Sequence, residues 1–139
     1  MSQSLYTLPA TTTKSLRDLR FGSARATTPQ AKIFEISTAD MSIVEQSPAE
    51  IYSSLEDLAD ALPGNTPRYV VLSYPIVTKD GRHKAPYVLL YYMPVTATQH
   101  AKMLYAGAVE IFRAQADVNK LLEVADEDEV MDIDAMLRE

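Results

Sequence analysis

Two nearly continuous apolar runs dominate the chain, RYVVLSYPIV at 68–77 and APYVLLYYMPV at 85–95. A strand without clean polar–apolar alternation is buried on both faces, which predicts a central pair in a sheet covered by helices above and below. The linker TKDGRHK holds Asp80-Gly81, a tight-turn pair, so the two strands are expected to be antiparallel neighbours. Pro75 inside the first run predicts a bend, because proline cannot donate to a ladder.

Shorter signals fill in the rest. Threonine and proline clusters at 11–13 and 27–29 bracket a helix expected over 14–21, with Leu16 and Leu19 on its inner face. KIFEIS at 32–37 and MSIVEQ at 41–46 flank a turn and predict a hairpin. Ser47-Pro48 opens a helical stretch in which Ile51, Leu55, Leu58 and Leu62 keep the 3.6-residue spacing, and Pro63-Gly64 ends it. A long helix is expected over 98–116, then a strand at 120–125 parallel to its neighbour, then one acidic helix over 126–138. The order predicts one mixed α/β (α+β) domain spanning the chain.

The long helix carries the functional signal. At ~100° per residue, Ala101, Leu104, Ala108, Ile111, Phe112 and Gln115 cluster as a core face. Lys102, Ala106, Val109 and Arg113 are expected opposite, as a smooth lane with a cation at each end, suited to a groove on another protein. Gly107 at the boundary weakens the helix by up to ~1 kcal/mol relative to alanine and so implies a close approach there.

Composition narrows the chemistry. With 139 residues and 47% apolar content the chain is of ordinary single-domain size, and no apolar run nears the ~20 residues of a membrane span. It contains no cysteine, which excludes disulfides and thiolate chemistry and fits a reducing cytosol. Net charge is −6 but polarised. Lys14, Arg17, Arg20, Arg25 and Lys32 oppose only Asp18 in residues 1–32, whereas residues 117–139 hold an acidic excess. Such poles orient partners. The basic set is small and lacks interleaved aromatics, so nucleic acid is not an expected partner. His83 and His100 have no carboxylate at ligand spacing, and there is no phosphate loop or nucleophile elbow, so no metal, cofactor or catalysis is expected. Asp126 to Glu129 read as acids opening a helix rather than as paired catalytic carboxylates.

The segments LPGNTPRYVV (62–71), TKDGR (78–82), YYMPV (91–95) and KMLYAGA (102–108), with the basic KSLRDLRF (14–21), resemble the actin-depolymerising-factor homology family. The likeness is greatest to its glia maturation factor branch, in the fungal form. The resemblance covers nearly the whole chain. It implies a central mixed sheet of about five or six strands with helices on both faces. It implies binding without catalysis or cofactor, by a monomer that engages the actin-related protein 2/3 complex, with actin at branch points as a further contact. The implied outcome is blocked nucleation and debranching of actin networks, in the cytoplasm, at the cytoskeleton and its cortical patches. The alternative within the family is cofilin-like actin binding and severing. Neither nucleic acid nor membrane is implied as a partner.

The resemblance also implies two surfaces. The first comprises Ser2, Lys14, Arg17, Arg20, Lys102, Met103, Ala106, Val109 and Arg113, with the long helix entering a groove of an actin-like subunit. Ser2 is a phosphorylation candidate, where added negative charge would weaken docking on an acidic partner. The second comprises the hairpin residues Lys79, Asp80, Arg82 and Lys84 with Glu127, Glu129, Asp132 and Glu139, whose opposite charges favour orientation and on-rate.

Overall fold

In the computed structural model, residues 5–138 are described; Ser2 and Glu139 lie outside them. Helix α1 (Ala10–Ser23) is followed by β1 (Gln30–Ser37), β2 (Ser42–Glu45) and α2 (Leu55–Ala61). Then come β3 (Arg68–Ser73), the small strands β4 (Ile76–Val77) and β5 (His83–Lys84), and β6 (Tyr87–Tyr92). The chain closes with α3 (Gln99–Ala116), β7 (Lys120–Val124), α4 (Glu127–Met131) and α5 (Ile133–Arg138).

The main sheet has five strands in the order β2-β1-β3-β6-β7. All pairs are antiparallel except β6 with β7, which the crossover helix α3 makes parallel. Central β3 and β6 explain their unbroken apolar sequences. Successive side chains alternate between faces: Val70, Leu72, Val88 and Leu90 meet α2, α4 and α5, while Tyr69, Val71, Leu89 and Tyr91 meet α1 and α3. Both faces therefore demand apolar residues, as the pattern predicts. Pro75 ends β3, and the chain turns into the separate β4–β5 ladder, closed by Gly81 at φ 85°.

Three boundaries differ from the sequence reading. Helix α1 begins at Ala10 rather than residue 14, because Thr12 is buried and its hydroxyl donates to the Ile43 carbonyl of β2 (2.7 Å), so a tertiary contact outweighs the turn signal of three threonines. Helix α2 begins only at Leu55, where the Ser54 side chain accepts from the Asp57 amide. Tyr52 before it is extended and exchanges two backbone hydrogen bonds with Ala31, on a stretch of β1 that β2 does not reach. The acidic C-terminal helix is two short ones, divided at Asp132 (φ −74°, ψ −9°).

Candidate partner-binding surface

The rotation of α3 about its axis decides what it offers to a partner. Tyr105, Ala108, Phe112 and Ala116 are its buried residues, spaced by three, four and four. Tyr69 of β3 organises this packing. Its ring lies 5.0 Å from that of Phe112 and 5.3 Å from that of Tyr105, and its hydroxyl donates to the Tyr105 carbonyl. Burial raises the Tyr69 pKa far above the usual phenol range, so this donor stays protonated. The Tyr105 hydroxyl in turn accepts from the Ile36 amide at 3.0 Å, so a buried polar group is satisfied and the helix is locked.

This core face is turned by roughly half a residue step, ~50°, from the expected one, given ~100° per residue. The correction moves several residues. Gln115 is exposed rather than core. Val109 packs against the α1–α3 core cluster, so it does not line an outer lane. Lys102 and Arg113 sit half-buried on the flank. The outermost ridge is instead Met103, Gly107, Glu110 and Ala114, with Ala106 beside it. Aliphatic Leu104 and Ile111 pull the sequence-derived centre one way, while buried Tyr105, with its two-ended anchorage, takes the true centre another.

The cations divide sharply. Arg113 donates to the Val118 (3.3 Å) and Asn119 carbonyls and lies 3.7 Å from Glu110. Arg20 donates to the Ala116 (3.3 Å) and Asp117 carbonyls, sits 3.7 Å from the Asp117 carboxylate, and lies 4.5 Å from the centre of the Tyr87 ring. Both therefore hold the turn from α3 into β7, where Asp117 is left-handed (φ 56°), and both complement the carbonyl end of the helix. Lys14 pairs with Asp18 at 3.0 Å in solvent, and this hydrogen bond lowers the Asp18 pKa. Lys32 of the basic set is buried, donating to the Ser15 carbonyl and hydroxyl. The side chains of Arg17 and Lys102 make no hydrogen bond or ion pair to another described residue.

The N-terminal segment joins the open end of α3. Thr7 exchanges backbone hydrogen bonds with Met41 and Ile43, and the Tyr6 hydroxyl donates to the Leu104 carbonyl at 3.0 Å. A Cβ on Gly107 would stand 2.8 Å from that hydroxyl oxygen. The close approach implied by this glycine is thus met by the chain's own Tyr6. Leu5 beside it is 76% exposed, and Met103 is 66% exposed. Sequence reading missed Leu5 and also Phe21, which is 70% exposed. An aromatic seven residues after Lys14 and four after Arg17 falls on their strip of α1, opposite Leu16 and Leu19, and that spacing was the available signal.

The residues assigned to the second surface do not gather at one place. Lys79, Asp80, Arg82 and Lys84 are exposed on the β4–β5 hairpin, where Asp80 pairs with Arg82 at 3.2 Å and has its pKa lowered by the Thr78 hydroxyl. The hairpin leaves the sheet at Ser73 and returns at Tyr87, which pair with each other. Glu127 lies at the other end of β6, close enough to Tyr92 to raise its pKa alongside burial. Asp126 caps α4 through the Glu129 amide, and the Glu129 carboxylate accepts from the Ala125 amide, so these acids complete a helix start. Asp132 is exposed at the break before α5. Only α5 returns toward the hairpin, where Asp134 accepts from the Tyr74 hydroxyl and pairs with Arg138. That contact lowers the Asp134 pKa, while burial first and Asp134 second push Tyr74 up to about 12.

A sequence profile for the family described as cofilin/tropomyosin-type actin-binding protein matches residues 7–138. The chain belongs to this family. Protein AIM7 of Saccharomyces cerevisiae is 35% identical over 127 residues, covering 87% of this chain and 85% of its own. Glia maturation factor beta of Mus musculus is 30% identical over 111 residues, covering 80% of this chain and 76% of its own. The solution structure of glia maturation factor from Caenorhabditis elegans superposes with a TM-score of 0.74 at 29% identity, over 93% of each chain. The five-stranded mixed sheet with helices on both faces is this family's fold, as the resemblance implies.

Proposed function

We propose that this member of the cofilin-type actin-binding family binds the actin-related protein 2/3 complex without catalysis, inhibits filament nucleation and promotes debranching. The docking surface is the open half of α3, through Lys102, Met103 and Ala106, flanked by the N-terminal segment and extended by the exposed Lys14 and Arg17 of α1. One observation carries the reading: Met103 is 66% exposed on a helix whose opposite face is locked into the sheet. An exposed thioether beside a lysine without an internal partner gives the adaptable apolar contact and rim charge used at protein interfaces. The likeness to glia maturation factors supports this choice of partner within the family. The protein works as a monomer in the cytoplasm, at cortical actin patches.

The test is a pair of binding measurements on purified components. Pull-down of the actin-related protein 2/3 complex is expected to be clear, and co-sedimentation with actin filaments weak. Branched networks watched by microscopy are expected to lose branches faster with the protein present. Strong filament binding with severing and no retention of the complex would replace this reading with the cofilin-like one.

A further inference from the structure

Beyond the end of β2 the segment at 51–53 takes its place beside β1, where Tyr52 gives both its amide and its carbonyl to Ala31. In an extended chain the neighbouring backbone groups point the other way, so the amides and carbonyls of Ile51 and Ser53 face outward. They bond to no described residue. The outer edge of β2, by contrast, is met by Thr7, and the amide that follows β7 is closed by the Glu129 carboxylate. A groove of about 360 Å³ runs between the open segment and α2, lined by Glu50, Ile51, Ser53, Asp57, Asp60 and Ala61 around Tyr52. Ile51 is 52% exposed in it. No cation is among its described lining residues, and residues 33–67 as a whole hold seven carboxylates and no lysine, arginine or histidine. The Tyr52 phenol registers this field, its pKa being raised by burial first and then by Glu50 and Glu45.

We propose that this edge accepts an extended basic segment of a partner protein, alternating lysine or arginine with aliphatic residues, as one further strand of the sheet. The two-residue period of a strand divides the roles. Side chains on the α2 side meet Glu50, Asp57 and Asp60, and those on the other side lie along Ile51. The outward amides and carbonyls supply main-chain bonds, while the carboxylates select the sign of the occupant. A second copy of this chain is disfavoured, because edge-to-edge pairing sets the same carboxylates against one another. Anionic lipid and nucleic acid are repelled by the same charge. The site uses no residue of α3, of the β4–β5 hairpin or of the C-terminal helices, and it does not rest on the partner proposed above.

The experiment uses the whole chain and fluorescent peptides of about nine residues, read by anisotropy. One alternates lysine with valine, and one alternates lysine with threonine, which keeps the strand preference without the apolar surface. Saturable binding of the valine peptide is expected, about fivefold weaker for the threonine peptide. Methylating alternate backbone amides of the valine peptide should cost about tenfold in one phase and little in the other, since a strand offers only every second amide to the edge. Hydrogen exchange at the Ile51 and Ser53 amides should slow in the complex. The double variant Glu50→Lys, Asp60→Lys is expected to lose about tenfold or more in affinity at an unchanged melting midpoint. Ile51→Thr should remove the advantage of valine over threonine. No saturable binding, equal losses in the two phases of methylation, or indifference to charge reversal would each overturn the proposal. So would self-association of the free chain that itself protects the Ile51 and Ser53 amides, because the edge would then belong to a second copy.

Discussion

The two ends of α3 are built from similar residue types and do opposite things. At the C-terminal end, Arg113 and Arg20 turn inward on carbonyls of 116–119 and fix the entry into β7. At the N-terminal end, the Lys102 side chain has no partner among the described residues, and Met103 stands in solvent beside the Tyr6 segment. A cation near a helix C-terminus has carbonyls to satisfy, so its charge is recruited locally; a cation in the first turn meets amide donors and gains nothing by folding back. Position along the helix, not charge, separates the cations drawn into the fold from the one left to solvent.

The largest test strikes the layer beneath both ends. Phe112 is fully buried between Phe34 and Tyr69, with ring centres 5.2 and 5.0 Å away. Phe112→Ala should lower unfolding free energy by about 3–5 kcal/mol, read by chemical denaturation. A loss under about 1 kcal/mol would mean that α3 is held by its ends alone, and the contrast between them would need another basis.

Next in size is the open end itself. Lys102→Ala with Met103→Ala should weaken retention of the actin-related protein 2/3 complex by about 2 kcal/mol, or thirtyfold, with an unchanged melting midpoint. The closed end should respond in the opposite sense. Arg113→Ala leaves two carbonyls without their donor and should cost about 1–2 kcal/mol in stability while affecting binding less. If Arg113→Ala instead removes binding at full stability, the two ends have been assigned the wrong way round.

This contrast also marks where the sequence was readable. The fold was legible wherever one residue type has one structural use: continuous apolar runs for β3 and β6, Pro75 for the bend, Asp80-Gly81 for the turn, and a strand after a long helix for the parallel edge. Helix rotation was less legible, because Tyr105 has two uses, and only Tyr69 and the Ile36 amide show that it goes inside. Arg20 and Arg113 read as partner-facing for the same reason: their acceptors are backbone carbonyls, which carry no residue-type signature. Glu127 and Glu129 were grouped with the hairpin through resemblance, while the strand length that separates them shows only once the register is known. Met103 was named through the family resemblance, and its exposure follows once Tyr105 fixes the rotation of α3.

The smallest effect probes the joint between α3 and the N-terminal segment. Gly107→Ala gains about 1 kcal/mol in helix propensity. Its new Cβ would collide with the Tyr6 hydroxyl oxygen, the far end of a side chain that can swing away by giving up its bond to the Leu104 carbonyl. That bond is worth about 1 kcal/mol, so the melting midpoint should barely move. The released segment should show instead in faster hydrogen exchange at the Thr7 and Ile43 amides, which bond between the segment and β2. Tyr6→Phe, which removes the bond without adding bulk, should accelerate the same amides less. A Gly107→Ala variant destabilised by more than about 2 kcal/mol would show that Tyr6 cannot yield, and that the open end of α3 is braced as firmly as the closed one.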